Sequence, residues 1–266
     1  MKFKRLFTFG CSFTKHTPPT WADIVSWDLD IPYKNWGAGG LGNVGIFHKM
    51  VECDLKYTFN EDDLILVLWS SWTREDRYNK DEHGTYTWLA GGNVFNSLHY
   101  SEEFTKKYWS LGNDIIKNAT AIISANKMFD IKFQGHIIPI TEMESKNLKF
   151  DEIEKNIFNF YKPHIPLGNV FRTNIDNWQR NNEFYKLYKD SHPNLLEHLT
   201  YVKNVVYKTL NLTLKKETEE CCYKLHDEFI KTLNANKHLP FNEKQVLISD
   251  MMECNVLGSP RTFDKL

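Results

Sequence analysis

Short apolar runs alternate with longer amphipathic stretches along this chain of 266 residues. Residues 3–9, 63–69 and 131–140 are rich in apolar side chains, and 63–69 is apolar on both faces, as a central parallel strand requires. The run 31–36 predicts a weaker strand because it contains Pro32. Between and after these strands, spacing and capping residues predict helices at 21–29, 43–57, 101–126, 152–161, 183–188 and 193–210. Asn43 is the predicted N-cap of the second helix, and Pro193 is predicted to lie in the first turn of the last one.

This alternation of strands and helices predicts an α/β fold with a mainly parallel sheet. The pattern changes at 215, after which two helices, at 217–233 and 243–254, follow without a strand. We therefore predict an α/β domain over 1–214 and a helical appendage with a tail over 215–266. The appendage either packs against its own domain or docks on a protein partner or a second copy.

Residues 70–100 are polar and aromatic, and they are too many for a plain connection in a compact domain. We predict an insertion or lid near the end of the third strand, with a small hairpin around 82–85. Its aromatic residues either join the core or stack on sugar rings. They are Trp72, Tyr78, Tyr86, Trp88 and Phe95.

Composition narrows the range of functions. The 33 basic and 34 acidic residues nearly cancel and form no basic stripe, so no nucleic-acid partner is expected. No run approaches the roughly 18 apolar residues of a membrane span, and the apolar N-terminal stretch is too short for a signal peptide. The five cysteines are scattered without a CxxC pair, which predicts reduced thiols in a cytoplasmic protein and no metal site.

The run Gly37-Ala-Gly-Gly-Leu-Gly42 fits the dinucleotide-binding pattern GxGxxG, with Asp62 about 20 residues further on. That pattern normally follows the first strand, whereas here a complete strand–turn–helix unit comes earlier and the preceding strand is short and polar. A dinucleotide-dependent oxidoreductase is therefore a weak alternative, and no cofactor is expected.

Two other stretches carry candidate chemistry. Gly10-Cys11-Ser12 follows the first strand, at the edge where open α/β sheets place their ligands. Near the end of the α/β part, Asp190-Ser-His192-Pro193 offers an imidazole, the usual base for a serine nucleophile, and a carboxylate that orients it. The main alternative bases are His16, His136 and His164.

In order and position, Gly10-Cys11-Ser12, Asn35-Trp-Gly37-Ala-Gly-Gly40 and Asp190-Ser-His192-Pro193 resemble the motifs of the SGNH (GDSL-type) hydrolase family, over about residues 3–212. The resemblance implies a three-layer α/β/α sandwich with a flavodoxin-like sheet. It also implies ester hydrolysis through a serine nucleophile. Ser12 would be the nucleophile, His192 the base and Asp190 the orienting acid, with the N–H groups of Ser12 and Gly40 binding the oxyanion.

Three positions depart from the family pattern. Cys11 stands where an Asp is usual, and Lys189 occupies the usual place of the acid, so either Asp190 or a backbone carbonyl would orient His192. After the third strand the family has an Asn that donates to the oxyanion, whereas this chain has Trp69-Ser-Ser-Trp-Thr-Arg74. Substitutes for that Asn are Ser70, Ser71 and Arg74. Arg74 would serve an anionic substrate or pair with Glu75 or Asp76.

The sequence therefore predicts an esterase or acyl-hydrolase that acts on a small-molecule or carbohydrate ester, with carbohydrate deacetylation as one version and acyl transfer as another. The alternative is a binding or structural module on the same fold, in which residues 215–266 form the interaction element.

Overall fold

The computed structural model describes residues 3–72, 74–80, 86–93, 101–137, 150–166, 168–171, 183–190 and 192–254, of which 77–80, 86–93 and 253–254 are described by their backbone alone. Its centre is a parallel sheet in the order β2 (Tyr33–Asn35), β1 (Arg5–Gly10), β3 (Asp63–Trp69) and β6 (Ile131–His136). A parallel bridge between His136 and Val170 extends the far edge. With that bridge the order matches the flavodoxin-like arrangement, so the predicted fold class is confirmed.

The helices form two layers, one on each face of the sheet. Their bounds are α1 (Trp21–Leu29), α2 (Asn43–Tyr57), α3 (Glu102–Tyr108), α4 (Leu111–Met128), α5 (Glu152–Tyr161), α6 (Glu183–Tyr188), α7 (Leu195–Tyr201), α8 (Tyr207–Leu210), α9 (Lys216–Ala235) and α10 (Phe241–Cys254). Helix α4 contacts α2 and α5, whereas α1 contacts α7 and α9. The two groups lie on opposite faces because crossovers between parallel strands are right-handed. The chain moves outward from β1 to β2 and then back across the sheet to β3, so α1 and α2 cover different faces.

Burial explains why the middle strands are apolar on both faces. Every residue of β3 is buried, and Leu64, Leu66 and Leu68 are fully inaccessible. In β1, Phe7 and Phe9 are also fully buried, and their rings pack against Phe59 at centroid distances of 4.9 and 6.3 Å. The two central strands therefore anchor the core and leave their carboxyl ends as a common edge.

Four local predictions need correction. The predicted helix at 101–126 is two helices, because the chain breaks at Trp109 and Ser110 caps the second one. The residue that caps α2 is Gly42, not Asn43. Asn194 caps α7, so Pro193 precedes that helix and does not lie in its first turn. The helical run to 210 is interrupted by a π-helical segment, Val202–Val206.

The predicted hairpin in the 70–100 segment is present as β4 (Arg74–Lys80) and β5 (Tyr86–Asn93), paired antiparallel with Tyr78 opposite Trp88. Trp72 is 1% exposed and belongs to the core, so it is not available to a sugar ring. Phe95 and the turn at 82–85 lie outside the described residues.

Helix α9 packs on α1, α6 and α7. Its buried face consists of Thr218, Cys222, Leu225, Phe229 and Leu233. The entry to α9 is tied to α1, because the backbone N–H of Lys215 donates to Asp28 Oδ1 at 2.9 Å. The apolar face of α9 is thus occupied by the chain's own helices. Over the described residues, no helix is both long and apolar enough to cross a membrane.

Candidate active site

The Ser12 turn, residues 11–16, follows β1 directly. The backbone N–H groups of Thr14 and Lys15 both donate to the carbonyl of Cys11, at 2.9 and 3.2 Å, which closes a tight turn around Ser12. Gly10 is required at its start, since a Cβ there would lie 2.1 Å from Thr14 Oγ1 and 2.9 Å from the carbonyl oxygen of Leu68. The turn therefore places Ser12, which is 9% exposed, at the carboxyl edge of the sheet.

Asn35, at the end of β2, joins the Ser12 turn to the glycine-rich loop 36–42. Its side-chain amide donates to the carbonyl of Thr14 at 2.7 Å, while its Oδ1 accepts the N–H of Gly37 at 3.0 Å. Gly37 packs so closely that a Cβ would lie 3.0 Å from the Cβ of Lys15. The Asn-x-Gly spacing is thus explained by a side chain that fixes two loops against each other.

The N–H groups of Ser12 and Gly40 donate no hydrogen bond to any described residue. Gly40 has a φ of 70°, a left-handed conformation that favours glycine and turns its peptide away from the helical path. Both N–H groups are therefore available as donors within the part of the chain that the structure describes.

Asp190 and His192 form a close pair at the same edge. The Nδ1 of His192 lies 2.6 Å from Asp190 Oδ1, and the backbone N–H of His192 donates to the same oxygen at 3.2 Å. Lys189, at the family's usual acid position, ends α6 in a left-handed conformation with a φ of 63°. The carboxylate that faces His192 is therefore that of Asp190.

The Ser12 turn contacts His192 from two sides. The ring of Phe13 meets the imidazole edge-on with centroids 5.5 Å apart, and the ring of His16 stacks on it at 4.2 Å. His16 also approaches the acid, with Nε2 3.2 Å from Asp190 Oδ2. No hydrogen bond joins Ser12 Oγ to His192 within the described residues. The geometry brings the turn and the pair together without closing that contact.

The electrostatics of the pair are dominated by the two imidazoles. Burial alone would raise the pKa of Asp190, but the hydrogen bond with His192, the close approach of His16 and the charge of the two imidazoles together outweigh burial and hold the pKa below its usual value. Burial, reinforced by the same two rings, lowers the pKa of His198 well below its usual value. These directions favour an ionised Asp190 and a neutral, buried His198.

The edge after β3 is arranged differently from the family pattern. Ser70 is buried, and its backbone is held by the side chain of Asn43, which accepts from its N–H at 2.7 Å and donates to its carbonyl at 3.3 Å. Asn43 lies near this edge but is fully buried, so its amide cannot reach a substrate. Ser71 is half-buried.

Arg74 and Asp76 support the glycine-rich loop. Arg74 Nη1 donates to the carbonyl of Leu41 at 3.0 Å, and the carboxylate of Asp76 accepts the N–H groups of Gly42 and Gly45 at 2.8 and 2.9 Å. Burial raises the pKa of Asp76 despite these two bonds. Arg74 therefore contacts the loop backbone, a role that the sequence did not suggest.

The other sequence candidates lie apart from the pair. His136 is buried, its Nε2 lies 2.8 Å from the carbonyl oxygen of Pro166, and burial lowers its pKa to about 4. His164 is exposed on a short 3₁₀ turn. The glycine run 37–42 follows the short edge strand β2 in a sheet without Rossmann order, which contradicts the dinucleotide alternative.

A separate cleft of about 420 Å³ lies between α2, β4 and α4. Phe47, Ile116 and Ala121 contribute apolar surface, and Glu75 and Lys117 contribute charge. None of its lining residues belongs to the Ser12 turn or to the Asp190–His192 pair.

No family model and no curated protein matches the chain. Among solved structures, it is similar to a member of the lipolytic protein G-D-S-L family from Veillonella parvula DSM 2008, with 14% identity, a TM-score of 0.42 and coverage of 78% of this chain and 97% of that one. It is also similar to an acetyl xylan esterase from the rumen bacterium Butyrivibrio proteoclasticus, with 13% identity and a TM-score of 0.38. That alignment covers 79% of this chain and 64% of the esterase. The fold assignment rests on this chain's own strand order and crossovers.

Proposed function

We propose that this chain is a serine ester hydrolase of the SGNH type. The observation that carries the proposal is the Asp190–His192 pair, which the Ser12 turn contacts through Phe13 and His16. An imidazole oriented by a buried carboxylate beside a serine is the arrangement that nucleophilic acyl transfer needs. Ser12 lies about 180 positions before Asp190 and His192 in the sequence, and the fold brings these two stretches together at one edge of the sheet.

In this mechanism Ser12 Oγ attacks the ester carbonyl while His192 takes the hydroxyl proton. Collapse of the tetrahedral intermediate expels the alcohol, to which His192 returns the proton, and leaves an acyl group on Ser12. Water, activated by the same imidazole, then releases the carboxylic acid and regenerates the serine. Asp190 keeps the imidazole in the tautomer that has its proton on Nδ1 and stabilises its positive charge.

The free N–H groups of Ser12 and Gly40 are the donors for the oxyanion. Each well-placed donor of this kind contributes roughly 3–4 kcal/mol to transition-state stabilisation. The missing Ser12–His192 hydrogen bond does not oppose this assignment, because such bonds are often long without substrate and shorten in the complex.

We further propose carbohydrate esters as the substrate class, for which the β4–β5 hairpin beside the glycine-rich loop offers Tyr78, Tyr86 and Trp88. Aromatic faces stack on sugar rings, and in the backbone register of the hairpin Tyr78 lies opposite Trp88. The alternative function, a non-catalytic module that binds through 215–266, gains no support from α9, because its apolar face is already buried.

The proposal is tested by hydrolysis of p-nitrophenyl acetate and of an acetylated xylo-oligosaccharide. Ser12→Ala is expected to lower kcat by at least about 10³-fold, as loss of a nucleophile does in comparable enzymes. Ser124→Ala, on α4, is the matched control and should retain wild-type turnover. Activity that survives in Ser12→Ala would refute the nucleophile. Hydrolysis of the simple ester but not of the sugar ester would refute the substrate class alone.

A further inference from the structure

Asp190 lies between two imidazoles, although a catalytic triad needs only one. His192 occupies Oδ1, and His16 Nε2 stands 3.2 Å from Oδ2. Oδ2 and His16 Nδ1 are nevertheless buried atoms with no hydrogen-bond partner among the described residues. A carboxylate oxygen without a donor in such a site is a position where a cation is favourable.

His16, Asp190 and His192 each present one ligand atom, and these atoms lie within 4.8 Å of one another. Two imidazole nitrogens and one carboxylate oxygen are a donor set of open zinc sites, where a fourth position is left to water. In a tetrahedral site with bonds of about 2.0 Å, neighbouring ligand atoms are roughly 3.3 Å apart. The separation of 3.2 Å between His16 Nε2 and Asp190 Oδ2 already matches that spacing.

We propose that His16, Asp190 and His192 form a binding site for a divalent first-row transition cation of the Zn²⁺ type, and that binding inhibits the hydrolase. Imidazole ligands select such ions over Mg²⁺ and Ca²⁺, which prefer oxygen. Entry is open, since the side chain of His192 is 27% exposed, against 13% for His16 and 10% for Asp190.

The cation would inhibit by engaging the general base. Once the imidazole of His192 and the charge of Asp190 are committed to the ion, the proton of Ser12 has no acceptor. This consequence rests on the proposed function, whereas binding itself depends only on the three ligands. A substitution of His16 distinguishes cation binding from the proposed catalysis. His16 is a ligand in the cation site but neither attacks the ester nor transfers a proton in the triad mechanism.

Binding is tested by isothermal titration of the metal-free full-length protein with ZnCl₂, in a non-chelating buffer at about pH 7.5, because metal binding requires deprotonated ligands and is favoured by higher pH. A single site per chain is expected in the wild type. His16→Gln should weaken zinc binding by at least about tenfold. Loss of a residue that only hydrogen-bonds a zinc ligand already lowers affinity by about that factor, and His16 would be a ligand itself. His238→Gln, an exposed histidine in the turn after α9, is the control. No binding by the wild type, or equal affinity in His16→Gln, would overturn the site.

Inhibition is tested on the same proteins with p-nitrophenyl acetate. Wild-type turnover should fall as zinc is added, with the same midpoint as zinc binding, and should recover with EDTA. His16→Gln should need at least about tenfold more zinc to reach half of its own metal-free rate. Ser12→Ala should bind zinc like the wild type. A wild type that binds zinc but hydrolyses no ester would remove the proposed function and leave the site. Hydrolysis unaffected by bound zinc would refute the inhibition.

Discussion

Replacing Asp190 by Asn tests the central geometric feature of the site. The substitution keeps size and shape but removes the charge that faces His192. Asp190 Oδ1 accepts both the Nδ1–H of His192, at 2.6 Å, and its backbone N–H, at 3.2 Å. Because the side chain of Asp190 is only 10% exposed, water cannot replace the lost charge.

The expected loss follows from the charge that develops on His192 in the transition state. An imidazolium and a carboxylate whose centres are roughly 4 Å apart attract by about 4 kcal/mol at an effective dielectric constant of about 20. At 1.4 kcal/mol per tenfold change in rate, kcat should fall by about 10³-fold. The neutral amide also fixes no single tautomer of His192, since it can offer either its oxygen or its NH₂ group.

The assay is the initial rate of p-nitrophenyl acetate hydrolysis under saturating substrate, with the folded state of the variant checked by circular dichroism and thermal unfolding. Asp130→Asn is the matched control, because Asp130 is also paired, with Lys132, but lies on the surface. A loss of less than tenfold in correctly folded Asp190→Asn would show that Asp190 is not the acid of the triad. A loss of equal size in Asp130→Asn would show that the assay reports stability and not catalysis.

Three further substitutions test the framework. Asp76→Ala leaves two backbone N–H groups without their acceptor, that of Gly42 before α2 and that of Gly45 in its first turn, so urea unfolding should show a loss of about 2–4 kcal/mol. Asp114→Asn should stabilise the protein by about 2–3 kcal/mol above pH 6 and have little effect below about pH 4. Burial raises the folded pKa of Asp114 to about 6, so the wild type loses stability as pH rises through that window and the amide does not. Gly135→Ala places a Cβ 2.1 Å from Tyr201 Oη, so we expect a loss of about 1–3 kcal/mol in thermal unfolding. Adding Tyr201→Phe should recover part of that loss. An unchanged midpoint in the first or third variant, or a pH-independent effect in the second, would contradict the corresponding contacts.

The central strands of the sheet were predictable because they are buried on both faces. After Asp63, the run 63–69 has no polar position to alternate, and its bounds coincide with β3. The break between α3 and α4 could not be predicted in the same way, since apolar spacing continues across Trp109. The break is stabilised by contacts of single side chains, in which Ser110 caps α4 and the indole of Trp109 donates to Asp114 at 2.9 Å.

The candidate site was predictable only in part, for a related reason. Residue type and order suggest Ser12 and His192 as partners among several candidate histidines, and the structure brings the turn that carries Ser12 into contact with His192. The contacts of Asn35 with the Ser12 turn, of Asp76 with the glycine-rich loop and of His16 with Asp190 depend on which loops the sheet brings together. Short polar side chains carry no periodic pattern, so a sequence gives no signal for their partners.

The position of Ser12 follows from the topology itself. The chain leaves β1 toward β2 through α1 on one face, and it returns to β3 through α2 on the other. The loops after β1 and β3 therefore diverge, and the crevice between them is where open α/β sheets bind ligands. The glycine run 37–42 follows an edge strand and cannot line such a crevice from its centre. It reaches the crevice from the side, because the hydrogen bonds of Asn35 with Thr14 and Gly37 hold it against the Ser12 turn. This attachment is what the proposed oxyanion role of Gly40 requires, whereas a dinucleotide site would require the glycine run to follow a central strand.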